Sequence, residues 1–259
     1  MEETSNPTAV ERATEPPKRW RSAAITHVGK VRKLNEDAFF AAPLIGLWAV
    51  ADGVGGADAG DRASGLIVEA LGGVSEPTTA SGFLSEVRNR LNAVNDALRR
   101  EATARNCDAI ASTVVALLLF GGYFACVWAG DSRLYCLRDG NLRQISRDHS
   151  EVQELVDQGV LDPADARSYR RANVITRAVG ADESLVLDVV HDRVEKDDVF
   201  LLCSDGLTKT LEDAEIADIL KLPVASSVEE LVRIALERGA PDNVTVIAVQ
   251  IVDPADGHG

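Results

Sequence analysis

VVALLLFGGYFACVWAGDSRLYCL, residues 114–137, decides the fold class. Residues 114–130 carry no charge and approach the length of a membrane span, but Gly121-Gly122 cuts the run into two β-rich halves. A glycine pair reaches the positive φ of a tight hairpin turn at no steric cost. The spacing therefore predicts two buried strands, 114–120 and 124–129, joined by that turn, instead of a helix in lipid. Asp131 follows in another tight turn, and 134–137 reads as a third strand. Comparable apolar runs at 45–51, 199–203 and 244–252 predict further strands buried on both faces.

Helical periodicity lies elsewhere. Phe83, Leu84, Val87, Leu91, Val94 and Leu98 recur at helical spacing over 80–104. Ser150-Glu151-Val152-Gln153 resembles a capping box opening a short helix that stops near Gly159. Ser226 to Glu229 repeats that cap logic for a helix ending at Gly239, and 61–71 is a fourth helix. Strands cluster together instead of alternating with helices, which predicts an α+β protein with sheets packed on each other and helices outside. Residues 1–19, rich in Pro, Thr and Glu, are expected to be a disordered extension, and 253–259 a flexible tail. Between them, 20–252 reads as a single domain.

Composition narrows the partners. Forty-one acidic against 27 basic residues give a formal charge of −14, which repels a nucleic-acid backbone at long range. The four cysteines form no C-x-x-C pair. Cys126, Cys136 and Cys203 lie in apolar runs, where cysteine behaves as a small buried hydrophobe, and this fits a reducing cytoplasm. Residues 1–18 lack the apolar segment of a secretory leader, so a soluble cytoplasmic protein is expected, with no membrane contact.

The chemistry lies in the placement of aspartates. LWAVADGVGG puts Asp52 at the end of an apolar strand, followed at once by glycines, and VFLLCSDGL does the same for Asp205. Asp131 stands in the turn of FACVWAGDSRLY, and Asp242 opens the strand of GAPDNVTVIAVQI. Rims of sheets are where strand ends converge. Clustered carboxylates raise one another's pKa unless a cation neutralises them, and oxygen-only donors suit Mg²⁺ or Mn²⁺. Glycine after Asp52 lets the backbone approach an ion, which makes the Gly53 carbonyl a further candidate donor. In GKVRKLNED, Glu36 and Asp37 follow Arg32 by four and five residues. Carboxylates beside an arginine fork look like a site that binds metal with one part and phosphate with the other.

VRKLNED (31–37), ADGVGG (51–56), GDSRLY (130–135), ITRAVG (175–180), SDGL (204–207) and DNVT (242–245), in this order, resemble the PP2C (PPM) family of metal-dependent protein serine/threonine phosphatases, bacterial members in particular. The likeness runs from about residue 22 to 252. It implies a central antiparallel β-sandwich with helices on both faces, four layers in all. It implies two Mn²⁺ or Mg²⁺ ions, with a third, weaker one in bacterial relatives. Asp52 would bridge two metals, Asp205 and Asp242 would complete the coordination of the first metal, and Glu36, largely through water, and the Gly53 carbonyl would serve the second metal. Asp37 would orient water, Asp131 would help hold the third ion, and Arg32 would clamp the substrate phosphate. Phosphorylated proteins, a Ser/Thr kinase and its targets among them, are the implied partners.

Val54 departs from members that carry a histidine just after the Asp-Gly pair, leaving the proton donor to a bound water or to His149. His27 and His191 read as structural. The basic stretch DARSYRR (165–171) falls where the family has a variable flap. Cysteine-based phosphatase chemistry is excluded, since no cysteine has an arginine six positions later. A non-catalytic phosphoprotein binder would show a lost carboxylate, and none is lost. A phosphoesterase acting on small metabolites stays open.

Overall fold

Gly121 and Gly122 form the expected hairpin turn, with φ of 59° and 77° and Phe120 opposite Tyr123. It joins β5 (Val114–Phe120) to β6 (Tyr123–Ala129) in a computed structural model that describes residues 19–54, 59–171 and 173–252. Residues 1–18 of the extension expected at 1–19, the tail expected at 253–259, and Gly55 and Gly56 lie outside the described residues, whereas Arg19 is described and exposed. The other strands are β1 (Trp20–His27), β2 (Asp37–Ala42), β3 (Leu47–Val54), β4 (Ala111–Ser112), β7 (Arg133–Arg138), β8 (Asn141–Gln144), β9 (Asp188–Arg193), β10 (Val199–Cys203) and β11 (Val244–Ile251). The helices are α1 (Gly60–Gly72), α2 (Ala80–Arg105), α3 (Glu151–Asp157), α4 (Asp205–Thr208), α5 (Asp213–Ile219) and α6 (Val224–Glu237).

Two antiparallel sheets result, one ordered β1-β11-β10-β7-β8 and one β2-β3-β5-β6-β9 with β4 beside β3. Strand alternation explains the four layers. In β3, Leu47, Ala49 and Ala51 face α1 and α2, while Trp48 and Val50 face the other sheet. In β11, Val244, Val246 and Ala248 face α6, while Ile247, Val249 and Ile251 face inward. Phe124 and Phe200 meet across the inner layer with ring centres 5.0 Å apart. Strands covered on both faces need no polar side, which is why they read as unbroken apolar runs.

α2 buries Phe83, Val87, Leu91, Val94 and Leu98 on one stripe. The Thr79 hydroxyl caps it, accepting from the Gly82 N–H. Ser150 caps α3 by accepting from the Gln153 N–H at 3.3 Å. The Gln153 side chain donates to Asp157 instead of reaching back, so only half the expected capping box forms. The cap expected at Ser226 is not made. The N-cap lies three residues earlier, at Pro223, and the Ser227 hydroxyl is spent on the Val224 carbonyl within the first turn of α6.

The turn holding Asp131 differs in kind from the hairpin expected there. β6 pairs with β5 and β9, whereas β7 pairs with β10 and β8. Residues 130–132 therefore carry the chain from one sheet to the other. Among the described residues, no helix is long and apolar enough to cross a membrane.

Candidate metal centre

Asp37 and Asp52 are partners in the β2–β3 ladder, directly opposite each other. Alternation places both on the face of Phe39, Val50 and Trp48, so their carboxylates point into the gap between the sheets at its open end. From the other sheet, Ser204 continues the inward parity of Phe200 and Leu202, and Thr245 that of Ile247 and Val249. Both hydroxyls donate to Asp37 Oδ2, each at 2.7 Å. Asp205 follows Ser204, Asp242 precedes β11, and Asp131 sits in the inter-sheet turn. Five aspartates from separate segments thus surround the mouth of one seam.

The backbone around Asp52 is tightly held. Its N–H donates to the Thr113 hydroxyl at 3.1 Å, and its carbonyl accepts from the Thr113 N–H and the Ser112 hydroxyl. Thr113 and Ser132 share a 2.7 Å hydroxyl contact that ties Asp52 to the Asp131 turn. Gly53 allows the chain to pass: a Cβ there would lie 2.0 Å from the Gly60 carbonyl oxygen and 2.7 Å from that of Glu36. The irregular segment bearing Arg32 and Glu36 is anchored by Asn243, which accepts from the Glu36 N–H at 2.8 Å and donates to the Val28 and Leu34 carbonyls.

Two cations already stand among these carboxylates. Lys209 Nζ lies 2.5 Å from Asp205 and 3.1 Å from Asp242. Arg32 turns its fork onto Asp242, with Nε 2.9 Å from Oδ1 and Nη2 3.2 Å from Oδ2. The phosphate clamp expected of Arg32 is thus engaged on a carboxylate. Among the described residues, no three Asp, Glu, His or Cys side chains close into a metal cage. Lys209 bridges Asp205 and Asp242.

Burial pushes Asp37 up to about 6, against the opposing pull of Thr245 and Ser204. It pushes Asp131 up to about 7, helped by the charge of Asp205. Asp52 rises well above the carboxylate range through burial and then the charges of Asp37, Asp205, Asp131 and Asp242. Asp205 is raised by burial in spite of Lys209, and Glu36 chiefly by burial. Burial would also raise Asp242, but Lys209 and Arg32 outweigh it and hold that group low.

The donor set fits a hard divalent cation. Asp37 Oδ1 and Asp205 Oδ1 are buried and have no hydrogen-bond partner among the described residues. An unpaired buried acceptor costs about 1–3 kcal/mol, and more when charged. An oxygen-seeking ion is the partner such atoms suit. His149 cannot serve as the proton donor in this arrangement, since Nδ1 accepts from the Gly130 N–H and Nε2 faces Asp188. Of the basic stretch near 170, Arg171 pairs with Glu151 at 2.8 Å, and Arg170 is exposed. His27 accepts from the Gly29 N–H, a structural bond, and His191 is exposed.

Ser204, Thr245, Asn243, Thr113 and Lys209 were not singled out by sequence reasoning. The available signal was a hydroxyl at an inward position of an otherwise apolar stripe, as at Thr245.

Known proteins resemble this chain in sequence and in fold. Residues 27–246 match the sequence family described as Protein phosphatase 2C. The serine/threonine protein phosphatase PstP of Mycobacterium tuberculosis is 37% identical over 235 residues, which are 90% of this chain and 45% of that protein, so the chain spans less than half its length. The solved structure of PppA, a regulatory component of T6SS in Pseudomonas aeruginosa, superposes with a TM-score of 0.83 at 47% identity, covering 89% of this chain and 96% of that one. The catalytic domain of PstP, solved with two manganese ions, superposes with a TM-score of 0.82 at 36% identity, covering 90% of this chain and 99% of that one. With likeness of sequence across almost the entire sandwich and likeness of backbone beneath it, the chain belongs to the protein phosphatase 2C family.

Proposed function

We propose that this chain hydrolyses phosphoserine and phosphothreonine in proteins, with Asp52, Asp205, Asp242, Glu36 and the Gly53 carbonyl holding two Mn²⁺ or Mg²⁺ ions. The observation that carries the reading is the gathering of five aspartates at one end of the seam, two of them with unpartnered buried oxygens. The manganese pair in PstP supports the choice of metal. Bound divalent cations supply an acidified water at neutral pH and offset charge on a phosphoryl group.

The chain's own residues do the rest. Ser204 and Thr245 fix Asp37 Oδ2, leaving Oδ1 free to take a proton from, or orient, a water at the mouth. Arg32 lies half exposed on Asp242, and its planar fork exchanges that carboxylate for the two oxygens of an incoming phosphate. Asp131, held by the inter-sheet turn, is a donor for a third, weaker ion. No cysteine takes part. Phosphorylated proteins, a Ser/Thr kinase among them, are the substrates this chemistry serves, and the cytoplasm is where it would act.

Hydrolysis of p-nitrophenyl phosphate should require added Mn²⁺, stop with EDTA, and fall at least about 100-fold in Asp52→Asn, since even outer-shell changes cost 10–100-fold. Activity that ignores EDTA, or survives that substitution, overturns the reading. Faster turnover of a nucleotide than of a phosphothreonine peptide would move the substrate class to small metabolites. Replacing Arg170 and Arg171 should alter the KM for phosphopeptides if the basic segment meets substrate.

A further inference from the structure

His149 lies outside the carboxylate cluster, yet its contacts converge on the turn that carries Asp131. It is 7% exposed and stacked on Trp128, with ring centres 5.9 Å apart and planes inclined by 11°. Its own N–H donates to the Gly130 carbonyl at 3.0 Å, and its Nδ1 accepts from the Gly130 N–H at 3.2 Å. Gly130 is thus gripped on both polar atoms by one residue, and the next residue is Asp131. Because an N–H must donate, Nδ1 is the acceptor nitrogen, and the neutral ring carries its proton on Nε2. That proton faces Asp188 Oδ2 at 3.2 Å; Arg177 Nη1 lies 3.3 Å from the same nitrogen, a close approach between two donors, and gives its own hydrogen bond to the other oxygen of Asp188 at 2.9 Å.

The same residue gathers the two ends of a long excursion. Its carbonyl accepts from the Thr176 N–H at 2.8 Å, and the next residue, Ser150, bridges to Ile175. The chain leaving toward α3 and the chain returning toward β9 therefore meet beside the Asp131 turn.

We propose that His149 is a positioning residue that sets the Asp131 carboxylate for a divalent cation through the Nδ1 bond to Gly130. This rests on the reading of Asp131 as a metal donor given above. A ring whose two nitrogens have different partners makes the claim separable. An Asn side chain places its oxygen near Nδ1 and keeps an acceptor for Gly130, whereas Gln places its amide near Nε2 and keeps only the side facing Asp188 and Arg177.

The test is Mn²⁺ titration by calorimetry on the whole chain for wild type, His149→Asn, His149→Gln, His149→Ala and Asp131→Asn, with circular dichroism to establish folding. The most weakly held Mn²⁺ should lose about tenfold or more in affinity in the Gln and Ala variants, and stay within about threefold of wild type in the Asn variant, as an orienting contact requires. Equal affinities for Asn and Gln, or no change in either, overturn the proposal. If Asp131→Asn weakens that ion and His149→Gln does not, only the positioning role fails. If Asp131→Asn leaves every affinity unchanged, the metal reading of Asp131 fails and the proposal with it. Should the Ala variant not fold, the Asn and Gln pair still decides.

Discussion

Thr245→Val removes one hydroxyl from the floor of the carboxylate cluster and nearly preserves shape. Thr245 is fully buried, and its hydroxyl lies 2.7 Å from Asp37 Oδ2 and 2.8 Å from the Thr26 hydroxyl. A hydrogen bond to a charged group contributes about 1.5–3 kcal/mol. Thr26 keeps its bond from Asn35, so the loss is centred on Asp37. At about 2–4 °C per kcal/mol for a domain of this size, the melting temperature should fall by about 3–12 °C. The bond also lowers the pKa of Asp37, so its loss lets burial carry that group further above about 6. The acid limb of the pH–rate profile should then move to higher pH. Thr245→Ser, which keeps the hydroxyl, is the control and should hold the limb in place. A Val variant that melts within about 1 °C of wild type, with an unmoved acid limb, would refute the claim that Thr245 holds Asp37.

In EDTA, stability should fall as pH rises from about 4 to 7. Asp37 and Asp131 have folded pKa values raised to about 6 and about 7, so the folded state binds more protons across that window. The effect is on the order of a few kcal/mol, read as a lower melting temperature at pH 7.5 than at 5.5; saturating Mn²⁺ should reverse the trend, and a flat profile in EDTA would contradict it. Gly53→Ala should lower both melting temperature and Mn²⁺ affinity, because its Cβ meets only backbone, while Gly65→Ala in α1, with nothing within 4 Å, should gain about 0.5–1 kcal/mol. Iodoacetamide should modify Cys107 alone in the native protein without loss of activity, since Cys126, Cys136 and Cys203 are buried and burial pushes the last two up to about 12. Peptide mapping that finds Cys203 alkylated would show that β10 opens.

The strands legible in sequence were those covered on both faces. β5 and β10 have their expected bounds because nothing polar interrupts them. β1, β2, β8 and β9 went unread because they lie at sheet edges, where exposed positions admit residues such as Arg21, Asn141 and Asp192, and β4 because it is only 2 residues long. The Asp131 turn read as a hairpin because strands adjacent in sequence usually pair, and only the ladders show that β6 and β7 belong to different sheets. Apolar runs ending in Asp-Gly made Asp52 and Asp205 visible as rim residues. The contact of Arg32 with Asp242 spans 210 residues, and Lys209 meets Asp242 across 33, distances over which local pattern says nothing.

The acidic groups at the mouth come from both leaves of the sandwich, so their mutual spacing follows the thickness of the filling. Phe124 and Phe200 lie within that filling, and Phe124 is at the far end of β6 from Asp131. Trimming or enlarging either ring would pinch or spread the leaves and alter the bite offered to an ion without touching a single donor. Proteins alike in every ligand can in this way come to favour ions of different radius through changes that look like ordinary packing.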